Sequence, residues 1–311
     1  MLKIEANGIT VHYAQRGAGP ELVLVHGITS SLAMWYNGLL NGFVSEYHVT
    51  AYDLRGHGLS GLTPTGYTSA ALATDLGAIL DALSLERVLL VGHSFGGTVA
   101  LHYALENPGR VRGVVMMDSG VACLRYLRII QDWWGWEGRP ADMKEKGLSL
   151  EKFLELDSKQ DVTEIIRHGL SVPRRAGFKK GQSGLTPRQQ RLLDETKLGS
   201  EFREVAGLTE DRLATVTTPV LALYGENSPY SKMGAHLAKI MPMTCHETIP
   251  GIGHFYAVHK PQLAVEKILP FLRDPEAFVR ERKPEAVGQG LSPAEWNSAI
   301  SLQNGHPDAG R

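Results

Sequence analysis

The residues best suited to chemistry stand in three short stretches. GHSFGG at residues 92–97 places Ser94 between glycines, after an apolar run and before a segment of helical spacing. The form G-x-S-x-G lets the chain turn sharply and lift the serine out between strand and helix, and the helix N-terminus behind it favours negative charge. A serine hydroxyl is a weak nucleophile without a base. GIGHFY at 251–256 supplies His254 after the last apolar run, where the base of such a site falls along the chain. His259, in AVHKPQ, is the rival, and a surface role at the start of the last helical segment suits it better. HGITSS at 26–31 follows an earlier apolar run. The backbone N–H groups of Ile28 and Phe95 are the two donors that an oxyanion hole requires.

Such residues need a scaffold, and the rest of the chain supplies its pattern. Residues 2–13 alternate around Asn7-Gly8 and read as a hairpin. Apolar runs at 21–27, 48–56, 87–94, 110–120, 218–227 and 245–254 are short and unbroken, the mark of strands buried on both faces. Between them lie helical spacings. Residues 68–83 put Leu72, Leu76, Ile79, Leu80 and Leu83 on one face, and 96–109 stops at Pro108-Gly109. Alternating strands and helices give an α/β fold with a mostly parallel sheet flanked by helices. The rhythm breaks at 121–215, where only polar helical segments occur. That stretch reads as an inserted helical cap dividing a core of 1–120 and 216–272. Residues 273–311 form a polar C-terminal extension, with a short helix over 291–302 capped by Ser292 and Glu295.

Composition narrows the function classes. The 311 residues carry 32 Lys plus Arg against 33 Asp plus Glu, so no net charge favours nucleic acid or an anionic membrane as partner. Cys123 and Cys245 stand far apart and suggest no disulfide framework. The N-terminal stretch lacks the apolar run of a signal peptide, and no segment has the length of a membrane span, so a cytoplasmic location is expected. The 12 histidines are scattered without a metal-ligand spacing, and no phosphate-binding loop or dinucleotide fingerprint occurs, so neither metal nor cofactor is expected. The expected partner is a small-molecule substrate, and a homodimer stays open.

The order HG (26–27), DLRGHGLS (53–60), GHSFGG (92–97) and GIGHF (251–255) resembles the α/β-hydrolase fold superfamily. Within it the chain is similar to the branch of haloalkane dehalogenases, epoxide hydrolases, C–C bond hydrolases, esterases and lactonases. The resemblance covers residues 2–120 and 216–272. Dehalogenases and epoxide hydrolases of this fold use an aspartate nucleophile, so Ser94 disfavours both chemistries. Relatives commonly hold the triad acid in a G-E-x-D turn after the penultimate strand. Here the turn reads Gly225-Glu226-Asn227-Ser228 and ends without a carboxylate. Other relatives carry the acid after the strand that follows the nucleophile's helix, where this sequence has Asp118 in VVMMDSG. A carboxylate at the tip of an apolar strand is unfavourable unless partnered, and His254 would be the partner. Asp118 is therefore the expected acid and Glu226 the alternative. Asp53, Arg55 and His57 are expected to hold loops together.

The resemblance implies a serine hydrolase that cleaves an ester or lactone of a small, largely apolar substrate through an acyl-enzyme. C–C bond hydrolysis or cofactor-free perhydrolysis is the alternative on the same site, and a small-molecule receptor on a hydrolase scaffold is a second. Trp133, Trp134 and Trp136, and less readily Met116 and Met117, either line the substrate pocket or pack the cap on the core. Seven Lys or Arg residues between Arg167 and Arg191, with no Asp or Glu among them, suit a solvated cap loop better than a site for an anion.

Overall fold

A computed structural model describes residues 2–128, 159–171 and 185–283. Trp133, Trp134 and Trp136, four of the seven basic residues between 167 and 191, and the 291–302 segment lie outside the described residues. Eight strands form one sheet: β1 (Leu2–Ala6), β2 (Ile9–Arg16), β3 (Glu21–Val25), β4 (His48–Tyr52), β5 (Val88–His93), β6 (Val111–Met117), β7 (Val220–Gly225) and β8 (Thr244–Ile249). Their order is β1-β2-β4-β3-β5-β6-β7-β8. The β1–β2 and β2–β4 pairs are antiparallel and the rest parallel, so every strand from β3 to β8 points its C-terminal end to the same edge.

Successive side chains of a strand face opposite ways, and here both faces are apolar. Val23, Val25, Val114 and Met116 face one layer, which holds helices α1 (Ser69–Ala82) and α2 (Phe95–Glu106). Leu22, Leu24, Val115 and Met117 face the other, packed by Trp35, Phe43, Ile268 and Phe271. Met116 and Met117 are thus core residues with 0% exposure and do not line a substrate pocket. Helix α1 begins at Thr68, whose hydroxyl accepts the Ala71 N–H at 3.1 Å, and buries Leu72, Leu76, Ile79 and Leu80 as the spacing requires.

Between β6 and β7 the regular elements among the described residues are all helices, with α3 (Thr163–Ser171) and α4 (Pro187–Asp194) the longest. Val162, Ile165 and Ile166 meet Leu192, Leu193 and Leu198 in a small separate core built around Tyr67, and Ile28 and Phe255 pack against it. The insertion therefore sits over the C-terminal edge of the sheet. After β7 come α5 (Ser231–Ile240), α6 (Pro261–Arg273) and α7 (Pro275–Arg282). Helix α7 is the start of the polar C-terminal extension, yet it wraps its own core: Val279 is fully buried, and the Phe278 ring stacks edge-on at 5.6 Å from Phe271. No helix among the described residues is long and apolar enough to cross a membrane.

The loop after β4 is tied to α1 by Arg55. Its Nε and Nη2 donate to the two carboxylate oxygens of Asp75 at 2.8 and 2.5 Å, and Asn7 Nδ2 donates to the same group at 2.6 Å. Asp75 is only 2% exposed, so removal of the guanidinium strands a buried charge. Arg55→Ala is expected to destabilise the fold by about 3 kcal/mol in urea unfolding, with part of that loss recovered when Asp75→Ala is added. A loss below about 1 kcal/mol would show that the pair is not what fastens this loop.

Candidate active site

Ser94 occupies the single residue between β5 and α2. Its backbone lies at φ 55°, ψ −127°, strained for a residue with a side chain, and its N–H donates to Met117 C=O at 2.8 Å. The turn closes tightly on the loop after β3. A Cβ on Gly96 would lie 2.1 Å from Val25 C=O, and one on Gly27 would lie 2.9 Å from Ser94 Cβ. Glycine at both places is what lets Ile28 stand beside Ser94. The N–H groups of the first turn of α2, Phe95 among them, have no acceptor within their own helix.

The loop after β3 is held by neutral histidines. His57 Nδ1–H donates to Arg55 C=O at 2.7 Å, which leaves Nε2 to accept the Thr29 N–H at 2.9 Å. His26 does the same between Gly27 C=O and Leu54 N–H, at 2.7 and 3.0 Å. Burial lowers the pKa of both, to about 3 for His57. Asp53 gathers the Leu32 and Leu59 N–H groups and His12 Nδ1–H at 2.7, 2.9 and 2.7 Å. These contacts hold loops in place, in keeping with the role read from DLRGHGLS.

Asp118 is the first residue after β6, with 0% exposure and φ 49°. Its Oδ2 accepts the Gly225 N–H at 3.2 Å and the Ser228 hydroxyl lies beside the carboxylate, while Oδ1 is buried with no hydrogen-bond partner among the described residues. Burial pushes its pKa up to about 8, while Ser228 and Gly225 pull the other way. Ser228 is itself fully buried, and its Oγ accepts the Tyr230 N–H at 3.2 Å. The residue standing where relatives commonly hold their acid thus touches the carboxylate one strand away. Glu226 points elsewhere. It is exposed, and its Oε2 accepts the Gly251 N–H at 2.7 Å, fastening the turn that precedes His254.

His254 is 5% exposed. Its ring centroid lies 5.0 Å from that of His93, 5.3 Å from Tyr230 and 4.9 Å from Phe255. His93 Nε2–H donates to His254 C=O at 3.1 Å, and burial lowers the His93 pKa to about 4, so this ring is a neutral donor. The loop carrying His254 folds back across β7, where a Cβ on Gly225 would lie 2.4 Å from Ile252 C=O. Gly225 is therefore the point at which the Asp118 carboxylate and the His254 loop meet. His259 lies exposed on the short helix Tyr256–His259.

Ser94, Ile28 and Phe95 open into a cavity whose walls include Phe202, Tyr230 and Met233. Phe202 stands edge-on to Phe95 at 5.7 Å. Ser228, Phe202 and Tyr230 were not singled out for a site role from the sequence. Ser228 showed there only as a gap in an acid motif, and the two aromatics carry no local signal. No group of three or more His, Cys, Asp or Glu side chains among the described residues is arranged to hold a metal ion.

Comparison with known proteins bears on the fold and the family. The family model for the alpha/beta hydrolase fold matches residues 20–261. A 2-(acetamidomethylene)succinate hydrolase of Mesorhizobium japonicum is 26% identical over 275 residues, covering 87% of this chain and 94% of that protein. Epoxide hydrolase 3 of Siraitia grosvenorii is 38% identical, but over 119 residues, 38% of each chain. Among solved structures, Est816, described as an N-acyl homoserine lactone degrading enzyme, superposes with a TM-score of 0.63 at 26% identity, over 87% of this chain and all of that one. With eight strands in this order, a strained Ser94 at the end of β5 and a family match spanning most of its length, the chain belongs to the α/β-hydrolase fold family and is a hydrolase of that family.

Proposed function

We propose that the protein is a serine hydrolase that cleaves an ester or lactone of a small, largely apolar substrate. The observation that carries this reading is Ser94 itself, held in a strained turn at the mouth of an apolar cavity with Ile28 and Phe95 beside it. Ser94 attacks the carbonyl as His254 takes its proton, and the N–H groups of Ile28 and Phe95 receive the oxyanion. His254 then protonates the leaving alcohol, and water, activated by the same ring, releases the acyl group. Asp118 orients His254 and stabilises the imidazolium. Its burial supports that role, since a carboxylate in a dry setting interacts more strongly with a cation than an exposed one does. Likeness to a lactone-degrading enzyme over 87% of this chain supports the ester or lactone class.

On a short-chain aryl ester, Asp118→Asn is expected to lower kcat by about 10³–10⁴, and Glu226→Gln by less than about tenfold. The reverse ranking reassigns the acid. A serine-directed fluorophosphonate is expected to label wild type and not Ser94→Ala; an unlabelled, inert wild type sinks the hydrolase reading.

The pH profile follows from the sign of the Asp118 shift. Its folded pKa lies above the ordinary carboxylate range, so Asp118 keeps its proton until the pH nears about 8. In that state Asp118 is a neutral acid and cannot stabilise an imidazolium at His254. Activity is expected to rise with pH toward 8 in kcat/KM, and Ser228→Ala, which removes a hydroxyl that favours the ionised form, is expected to move the rise to higher pH. A profile that levels off below pH 6 in both proteins would contradict the raised value.

A further inference from the structure

Thr29 is a β-branched residue at φ 60°, a conformation that such side chains rarely adopt. It survives because both of its peptide groups are held. On the N-terminal side, its N–H donates to His57 Nε2 at 2.9 Å, and its own hydroxyl donates to Ile28 C=O at 2.7 Å. On the C-terminal side the holder comes from the inserted helices: Gln189 Nε2 donates to Thr29 C=O at 2.8 Å, across 160 residues of sequence. Gln189 is the third residue of α4, and its amide oxygen accepts the Thr186 N–H at 3.0 Å in a capping box, while the Thr186 hydroxyl accepts the Gln189 N–H at 3.2 Å. The oxygen end of the carboxamide therefore starts a helix of the insertion, and the nitrogen end grips the loop beside Ser94. Next to it, Arg188 donates to Gly56 C=O at 2.9 Å and to Ser60 C=O, fixing α4 on the loop that carries His57.

We propose that Gln189 is a positioning residue for the oxyanion hole: by holding Thr29 in its strained conformation it sets the direction of the Ile28 N–H, so that the insertion governs turnover as well as substrate fit. The catalytic half of this inference rests on the ester or lactone reading above; the clamp itself does not. If the clamp is released, Thr29 relaxes toward negative φ and the backbone at Ile28 rotates with it.

Gln189→Glu separates this role from helix capping. A carboxylate still completes the capping box but cannot donate to Thr29 C=O. The variant is expected to keep the wild-type Tm within about 2 °C and KM within about twofold, because cap and pocket are intact. Its kcat on the aryl ester is expected to fall by about tenfold, a fraction of the 10²–10³ lost when an oxyanion donor is removed outright. Amide hydrogen exchange at residues 28–30 is expected to quicken by at least about tenfold, with the sheet unchanged. Wild-type exchange in the variant overturns the clamp. Quickened exchange with unaltered kcat overturns the positioning role. A wild type inert on esters, whose residues 28–30 still loosen in Gln189→Glu, upholds the clamp and overturns the hydrolase reading instead.

Discussion

A carboxyl group buried beyond the reach of water sets the terms for the whole site. Asp118 stands with 0% exposure at the tip of β6, and an isolated charge in such a place is strongly unfavourable. Its surroundings meet this in two ways. The Gly225 N–H donates to it and the Ser228 hydroxyl lies beside it, and both belong to β7 and the turn after it. The Tyr224 and Tyr256 hydroxyls, which also sit beside it, are turned to backbone carbonyls of Ser119 and Leu223 instead. The carboxyl thus has one oxygen paired and the other, Oδ1, buried with no hydrogen-bond partner among the described residues, and burial keeps its pKa high. In the proposed reaction its ionised form steadies the imidazolium, which is when a dry ion pair is worth most.

The order of strands explains why the remaining parts fall within reach. From β3 through β8, neighbours in the sheet are β3, β5, β6, β7 and β8, and each contributes the residues just past its C-terminal end. The Ile28 loop, Ser94, Asp118, Ser228 and His254 are therefore laid along one edge, where ligands of open parallel sheets are bound. The loops that reach across are secured by three other histidines. Burial keeps His26, His57 and His93 neutral. His26 and His57 each bridge two backbone groups, and His93 holds the C=O of His254. A neutral ring can donate at one nitrogen and accept at the other, and that pairing suits a loop staple.

Much of this could be read from the residues, because the signals are local. Apolar runs marked β3 to β7, and the stretch 245–254 continued the series although β8, Thr244–Ile249, mixes polar residues among the apolar ones. The glycines around Ser94 announced the turn. The acid was harder. Ser228 read as a gap in the motif, and only the register of β6 against β7 reveals that the gap and Asp118 face each other. Met116 and Met117 could not be sorted in advance between pocket and core, since a parallel strand is apolar on both faces and alternation gives no clue to which face lines a cavity. Helix α7 lies in the stretch read as a polar extension, and Pro275, Phe278 and Val279 are the residues that seat it.

The basic run in the insertion shows why long-range contacts escape such a reading. From the sequence, seven cations without an acid between them look like a solvated surface or an anion site. In the described part, Arg167 meets Glu164 and Asp194, Arg191 meets Glu195, and Arg188 meets backbone carbonyls of the loop after β4. Two of the acids, Asp194 and Glu195, come after the run, and the third, Glu164, precedes it, so a window that stops at Arg191 misses every partner. Arg188 is the instructive case. Its pairing with carbonyl groups leaves a guanidinium without a carboxylate, and burial lowers its pKa. A cation is tolerated there because the loop it holds, bent through Gly56 and Gly58 at positive φ, turns its carbonyls outward with no strand to receive them. The loop needs donors, the insertion provides them, and the same helix that provides them reaches Thr29. Cavity wall and loop geometry are linked through the insertion: Val162, Ile165 and Ile166 line the cavity and share a core with Leu192 and Leu193 of α4, the helix that holds the loop beside Ser94.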